Sequence, residues 1–353
     1  MPNRSHLLNI FKDLERDVSD VPVQPSLNLH ANSRVLIIDA MNMFLRSFCM
    51  LNSHNLAGHH VGGLVGFLKS LKSMISMHHP TKVILAFDGE KGSQSRKYLY
   101  RPYKSNRNAT KIINPKSFRT AEEEKGSKND QITRLVDYLR ALPVTMMVCD
   151  NLEADDIIAH LCTHIYNTYP DSYTYIVSSD QDYMQRVNDR VLLYSPIKQV
   201  LYTEAKVLEE YGIHPLNHNV YKALVGDSSD NLPGVAGVGH KNVVKLFEGL
   251  KEPEMKGLEY IYQVCEEKPL NSVLYDRILF TKNMVEVMFQ VMDLHNPNIH
   301  PDDIKEIERL YDTKAPTLDK REFLELYAED RLADSIPYTS TWLDAFAPLN
   351  RYK

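Results

Sequence analysis

At 353 residues the chain can bury a full core, and its length fits two domains or one large α/β unit with an appendage. The four cysteines, Cys49, Cys149, Cys162 and Cys265, fall at scattered spacings with no Cys-x-x-Cys pair, which argues against a disulfide framework or a zinc knuckle and points to a reducing, cytoplasmic compartment. No apolar run approaches the roughly 20 residues of a membrane helix, and the net charge of −5 conceals a segregated distribution: nine bases between Lys91 and Arg119 occur without one acid.

Residues 1–33 read as an extension outside the main fold, with a short helix around Leu7 to Val18 and a linker through Pro22 and Pro25. Asp13, Glu15 and Asp17 mix with bases there, unlike a signal or transit peptide. Regular structure starts at Arg34. Val35 to Ile38 is a short β-branched run of the kind a buried parallel strand shows, and it ends on Asp39. Val83 to Phe87 repeats the form and ends on Asp88; Tyr173 to Val177 repeats it before Asp180 and Asp182. Helical patterns at about 61–77 and 129–141 and a further strand over Pro143 to Val148 lie between. This alternation predicts an α/β fold with a mostly parallel central sheet covered by helices.

The basic run carries Tyr98, Tyr100 and Tyr103 among its charges, as nucleic-acid contacts often do. Gly126, Ser127 and Asn129 predict a flexible return from it. From about Thr203 strands give way to helices, with turns at Gly212, Pro215, Pro233, Gly234, Gly237 and Gly239. The expected division is an α/β core over 34–202, a helical region over 203–300 and a helical extension over 301–353.

Strands that end on Asp deliver carboxylates to the crevice at the carboxyl edge of a parallel sheet. Each acid alone reads as a turn former or helix N-cap, as does the Glu153-Ala154-Asp155-Asp156 cluster that opens a helix. Three strand ends of one form, that cluster, and Asp227 with Asp230 ahead of a Gly-rich turn together predict a shared pocket. Such crowding needs cations, and all-oxygen donors suit two Mg²⁺ or Mn²⁺ ions rather than zinc. A calcium loop is a weak rival, because neither Asp180 to Asp182 nor Asp227 to Asp230 continues into EF-hand spacing. A P-loop is disfavoured because His240-Lys241-Asn242 stands where Gly-Lys-Ser/Thr is required. His160 and His164 lie four apart on one helix without an evident third ligand, and read as surface or packing residues.

Together these segments, with Tyr103-Lys104-Ser105-Asn106-Arg107 and the run from Gly226 to Lys241, resemble the 5′ nuclease family of phage flap endonucleases and the 5′ nuclease domain of DNA polymerase I. The resemblance covers about Val35 to Leu250. It implies a PIN-like core with a helical arch over about 90–128 and a helix-three-turn-helix. Asp39, Asp88, Glu153, Asp155 and Asp156 would then serve one metal, and Asp180, Asp182, Asp227 and Asp230 the second. Arg96, Lys104 and Arg107 would face the scissile phosphate as catalytic residues. Arg46, Lys97, Arg101, Tyr103, Gly237, Gly239 and Lys241 would contact DNA, with a K⁺ ion at the glycine turn. Where the family carries a stacking aromatic, this chain has Leu45, flanked by Phe44 and Phe48, so Phe44 reads equally as stacking or core.

The expected substrate is DNA with a 5′ flap or 5′ end, or an RNA–DNA hybrid, cut by a monomer. A catalytically silent branched-DNA-binding protein and a PIN-type ribonuclease are the competing readings. Trp342, Phe346 and Leu349 are weighed as an anchor for a replication partner against packing onto the domain.

Overall fold

The computed structural model describes residues 29–107, 111–267, 273–332 and 335–352. The chain divides into Met1–His30 and Ala31–Lys353; the helix expected near Leu7 to Val18 lies outside the described residues. In the second unit six strands form one sheet in the order β3-β2-β1-β4-β5-β6. They are β1 (Arg34–Asp39), β2 (Lys82–Phe87), β3 (Thr145–Val148), β4 (Tyr173–Val177), β5 (Val191–Ser195) and β6 (Val200–Tyr202). All neighbours run parallel except β5 and β6, which pair antiparallel at one edge.

The central strand β1 is buried on both faces. Val35 and Ile37 point into a core shared with Ile84, Ala86 and Ile176, while Leu36 and Ile38 point into a second core with Val83, Leu85 and Val177. This two-sided burial is why these strands are continuous apolar runs rather than alternating ones. Helices α1 (Ala40–Met50), α2 (Gly62–His78) and α4 (Ala121–Arg140) contribute to the second core. Helix α5 (Ala154–Thr168) contributes to the first, which continues without interruption through α7 (His218–Val225) to Tyr311. Between α2 and α4 lies the short α3 (Gln94–Leu99).

Two local expectations change. Gly126, Ser127 and Asn129 lie inside α4, not in a flexible return. Thr120 caps that helix, Glu122, Glu123 and Glu124 fill its first turn, and one interior glycine costs only about 1 kcal/mol against this. The segment before it is also anchored: Glu124 accepts the backbone N–H groups of Ile113 and Asn114, and Phe118 stacks on Phe48 at 5.4 Å. At the other end of the chain Phe346 and Leu349 are buried, and Trp342 packs 5.0 Å from Phe346 and 5.6 Å from Phe323. These residues belong to the second core, which favours packing onto the domain over the partner anchor.

Phe44 is fully buried beside Phe48, so its role is packing rather than stacking on a base. Phe44→Ala should cost about 3–5 kcal/mol in urea unfolding; a ring standing free at the surface would change stability by under about 0.5 kcal/mol.

Candidate metal centre and nucleic-acid interface

The parallel register puts Asp39 opposite Ala86, two residues before Asp88, and Ile38 opposite Val177, just before the Ser178–Asp182 turn. The acids that end β1, β2 and β4 therefore leave the sheet side by side. Asp39 caps α1, accepting the Asn42 N–H at 2.9 Å, and receives the hydroxyls of Ser178 and Tyr183 at 3.2 and 3.4 Å. Asp88 accepts the Ala154 N–H at 2.9 Å and so ties β2 to the start of α5. Asp180 caps the 3₁₀ turn Gln181–Arg186 through the Asp182 N–H. Capping and site-building thus coincide: the backbone bond that satisfies a helix terminus also fixes where each carboxylate points.

The buried hydroxyl of Tyr183 marks the middle of this set. Its pKa is driven far above the ordinary tyrosine range by burial and by the charges of Asp39, Asp155, Asp180 and Asp88. Burial, with Asp88 nearby, pushes Asp39 up to about 6. Asp180 is reached by solvent on one side, yet the protein wall behind it and neighbouring Asp182 push it up to about 7. Asp155 and Asp182 are raised too, by burial first and by neighbouring acids against the pull of Arg96 and Lys222 respectively.

Basic side chains offset part of this charge. Arg96 is buried, with Nη1 2.6 Å from Glu153 and 3.1 Å from Asp155, Nη2 2.8 Å from Asp156, and Nε donating to the Val291 carbonyl at 3.0 Å. Lys104 reaches Glu153 at 2.5 Å, and the Tyr103 hydroxyl donates to the same carboxylate at 2.7 Å. Burial would raise Glu153, but Arg96 and Lys104 hold it below its ordinary value. Lys222 bridges Asp182 at 2.9 Å and Asp227 at 2.5 Å, and Arg107 meets Asp230 at 2.5 Å.

Two loops lock this arrangement. Lys104 and Asn231 both adopt left-handed backbone conformations. Lys104 N–H donates to the Asp230 carbonyl, Asn231 donates to Pro102 O and Ser105 Oγ, and Asn106 donates to Ser228 O. The Tyr103–Arg107 motif is thus the dock for the Asp227–Asn231 turn. That turn is folded back at Gly226 (φ +79°) against Gly234, where an added Cβ would sit 2.0 Å from the Val225 carbonyl. A bay of about 520 Å³ opens beside it, lined among others by Asn42, Arg107, Asp180, Lys222, Gly226 and Asp227.

A model described as "5′-3′ exonuclease, N-terminal resolvase-like domain" matches residues 34–212, just over half of the chain. The chain belongs to the 5′-3′ exonuclease family. It is 30% identical over 261 residues to DNA polymerase I of Caldicellulosiruptor bescii, a match that covers 71% of this chain but 28% of the polymerase. Against the 5′-3′ exonuclease of Aquifex aeolicus it is 28% identical over 213 residues, 60% of this chain and 68% of that one. Its fold is similar to that of a bacteriophage T5 flap endonuclease solved with DNA and metal ions, with a TM-score of 0.62 at 18% identity over 79% of this chain and 100% of the other.

Several residues of this chain sit differently from the expected pattern. Arg96 does not face the bay: all its donor groups are directed at buried carboxylates and a backbone carbonyl, so it positions Glu153 and Asp156. Tyr103 is 3% exposed and hydrogen-bonded to Glu153, which removes it from the DNA-contacting set. Both Asp156 oxygens are engaged, by Arg96 and by the Glu153 N–H of the capping box. Lys97 and Arg101 are exposed and flank Tyr98, whose ring is 90% exposed. Arg46 is half-buried on α1 and in charge range of Tyr194. Gly237 turns the chain at φ +82° ahead of α8 (His240–Leu246), Gly239 has open space where a Cβ would be, and Lys241 is exposed. The turn's carbonyls at Ala236 and Gly237 accept from Arg277 and Asn242, so a K⁺ ion there would share them. Lys222, a helical lysine five residues before Asp227, was not singled out in the sequence and carries no local signal that would have marked it.

The donor set suits hard cations. Asp155 Oδ1 and Asp182 Oδ1 are buried and each lies against a cationic side chain, Arg96 Nη1 at 3.1 Å and Lys222 Nζ at 2.9 Å, and oxygen ligands without thiol or imidazole favour Mg²⁺ or Mn²⁺. A carboxyl whose pKa is higher in the fold than in the unfolded chain loses stability as it ionises, beginning above about pH 4 and complete above its folded value. For Asp39 the loss is about 3 kcal/mol before solvent on its open side reduces it. Glu153 and Asp227, whose values are lowered, act in the opposite sense only below about pH 4.5. Buried His78, His218 and His295, whose pKa values burial lowers to about 4, 3 and 4, gain stability over part of the same range, so the cluster is read from the metal-dependent difference: Mg²⁺ or Mn²⁺ should raise the thermal midpoint more at pH 8 than at pH 5. A rise that is equal at the two pH values, or larger at pH 5, contradicts the assignment.

Proposed function

We propose that this chain is a structure-specific 5′ nuclease that hydrolyses DNA phosphodiesters at a 5′ end or 5′ flap, using two divalent cations held in the carboxylate bay. The observation that carries this reading is the convergence of the β1, β2 and β4 strand ends, the α5 N-terminus and the Asp227–Asp230 turn, with basic side chains along its rim. Asp39, Asp88, Asp155 and Asp180 would hold one cation, and Asp182, Asp227 and Asp230 the second, with Glu153 and Asp156 ordering the cluster through Arg96. Bound there, the ions would supply Lewis acidity toward water and phosphate.

The chain's own groups account for substrate placement. Arg107 is bonded to Asp230 but its side chain is 59% exposed, so it can turn to a phosphate and stabilise charge that builds up on it. Lys104 stands between Glu153 and Asp230, at 2.5 and 4.0 Å, and can be released to the same phosphate when a cation takes over its carboxylates. Lys97, Tyr98 and Arg101 offer a stacking ring between two positive charges for a single 5′ strand. The glycine turn at 237–239 and Lys241 offer backbone N–H groups and a charge to the duplex backbone. An RNA primer strand in an RNA–DNA hybrid is a further substrate of the same reading, as is a K⁺ ion at that turn.

An end-labelled 5′-flap duplex should be cut near the branch in Mg²⁺ and left intact in chelator, faster than single-stranded RNA of matched length. The reverse preference would favour the ribonuclease reading. Asp182→Ala should lower flap cleavage by about 10³-fold or more while flap affinity in Ca²⁺ stays within about threefold; an unchanged rate refutes the site. Arg107→Ala should slow cleavage by about 10²-fold and flatten the salt dependence of binding by about one phosphate contact.

A further inference from the structure

Away from the carboxylate bay, the middle of α5 carries His160 and His164 on one face, one turn apart. The helix Pro301–Asp312, here α12, lays Glu308 across them. Glu308 Oε1 stands 3.2 Å from His160 Nε2 and 3.3 Å from His164 Nδ1. Among the described residues these three are the one group of His, Cys, Asp and Glu whose ligand atoms lie mutually within 4.8 Å.

We propose that His160, His164 and Glu308 form a zinc site that staples α12 to α5. Its support is metric. Zinc holds nitrogen and oxygen ligands at about 2.0–2.1 Å in a tetrahedron, whose edges are then about 3.3 Å. Both nitrogen-to-oxygen separations already match that edge, and the two imidazole nitrogens lie within 4.8 Å of each other. The rings are held for the purpose: they lie 6.3 Å apart at an interplanar angle of 27°, and His164 packs edge-on against Tyr311 at 5.6 Å and Tyr169 at 6.5 Å. The three side chains are 16%, 17% and 38% exposed, which gives a path in and leaves the fourth position to water. Two imidazoles and one carboxylate select Zn²⁺, with Cu²⁺ and Ni²⁺ as competitors, over Mg²⁺. The alternative is a carboxylate that merely accepts from two histidines.

This site is independent of the nuclease reading, and so is its test. Co²⁺ added to the full-length protein in excess Mg²⁺ should produce the intense visible absorption of a tetrahedral nitrogen-containing site, saturating at one equivalent and bleached by one equivalent of Zn²⁺. Six-coordinate cobalt in the all-oxygen bay absorbs weakly and does not imitate it. Glu308→Gln and the double variant His160→Ala/His164→Ala should lose the absorption and the rise in thermal midpoint that one equivalent of Zn²⁺ gives the parent protein, while keeping the parent's far-ultraviolet dichroism in chelator. No intense absorption in the parent protein, or equal absorption in the double variant, overturns the proposal.

Discussion

The crowding of acidic side chains is the constraint on which the rest of this molecule turns. Two carboxylates about 4 Å apart repel by roughly 4 kcal/mol at an effective dielectric of 20, and a domain has only about 5–15 kcal/mol of stability in all. The fold compensates unevenly. Arg96 and Lys104 serve Glu153 and Asp156, Lys222 serves Asp182 and Asp227, and Arg107 serves Asp230. Asp39 instead receives hydroxyls and one backbone N–H, and Asp180 accepts the Asp182 N–H. Both retain raised pKa values, and that residual deficit is where a divalent ion gains most by binding.

The same residues answer to two demands at once. Asp39, Asp180 and Glu153 satisfy helix-terminal N–H groups as well as belonging to the carboxylate cluster. Replacing one of them removes a helix cap and a site carboxylate together, so stability and activity losses will not separate cleanly at these positions. Asp182, whose side chain is bonded to Lys222 rather than to a helix terminus, is the cleaner position at which to test chemistry.

Much of this was readable in the sequence because a buried parallel strand and a strand-end carboxylate both leave local marks. Val35 to Asp39, Val83 to Asp88 and Tyr173 to Asp182 carry the strand and its acid in one short run, and the structure places all three as adjacent strands. Strands β5 and β6 went unread, although Val191 to Tyr194 has the same apolar character, because no acid marks its end. Partners brought together by the fold left no local signal. Arg96 was expected at the scissile phosphate and Tyr103 among the DNA contacts, Lys222 carried no local mark, and Glu308 lies 144 residues beyond His164 with no pattern to connect them. Glycine misled at position 126, where a strongly capped helix tolerates it.

The docking of residues 102–107 onto 228–231 joins stretches of chain more than a hundred residues apart in sequence. During synthesis the basic loop leaves the ribosome long before its dock exists, and the bay cannot close until the chain has grown past Asn231. The bay therefore assembles late, after the sheet is complete, so a truncated product of interrupted translation would carry the sheet and its aspartates without the closed bay.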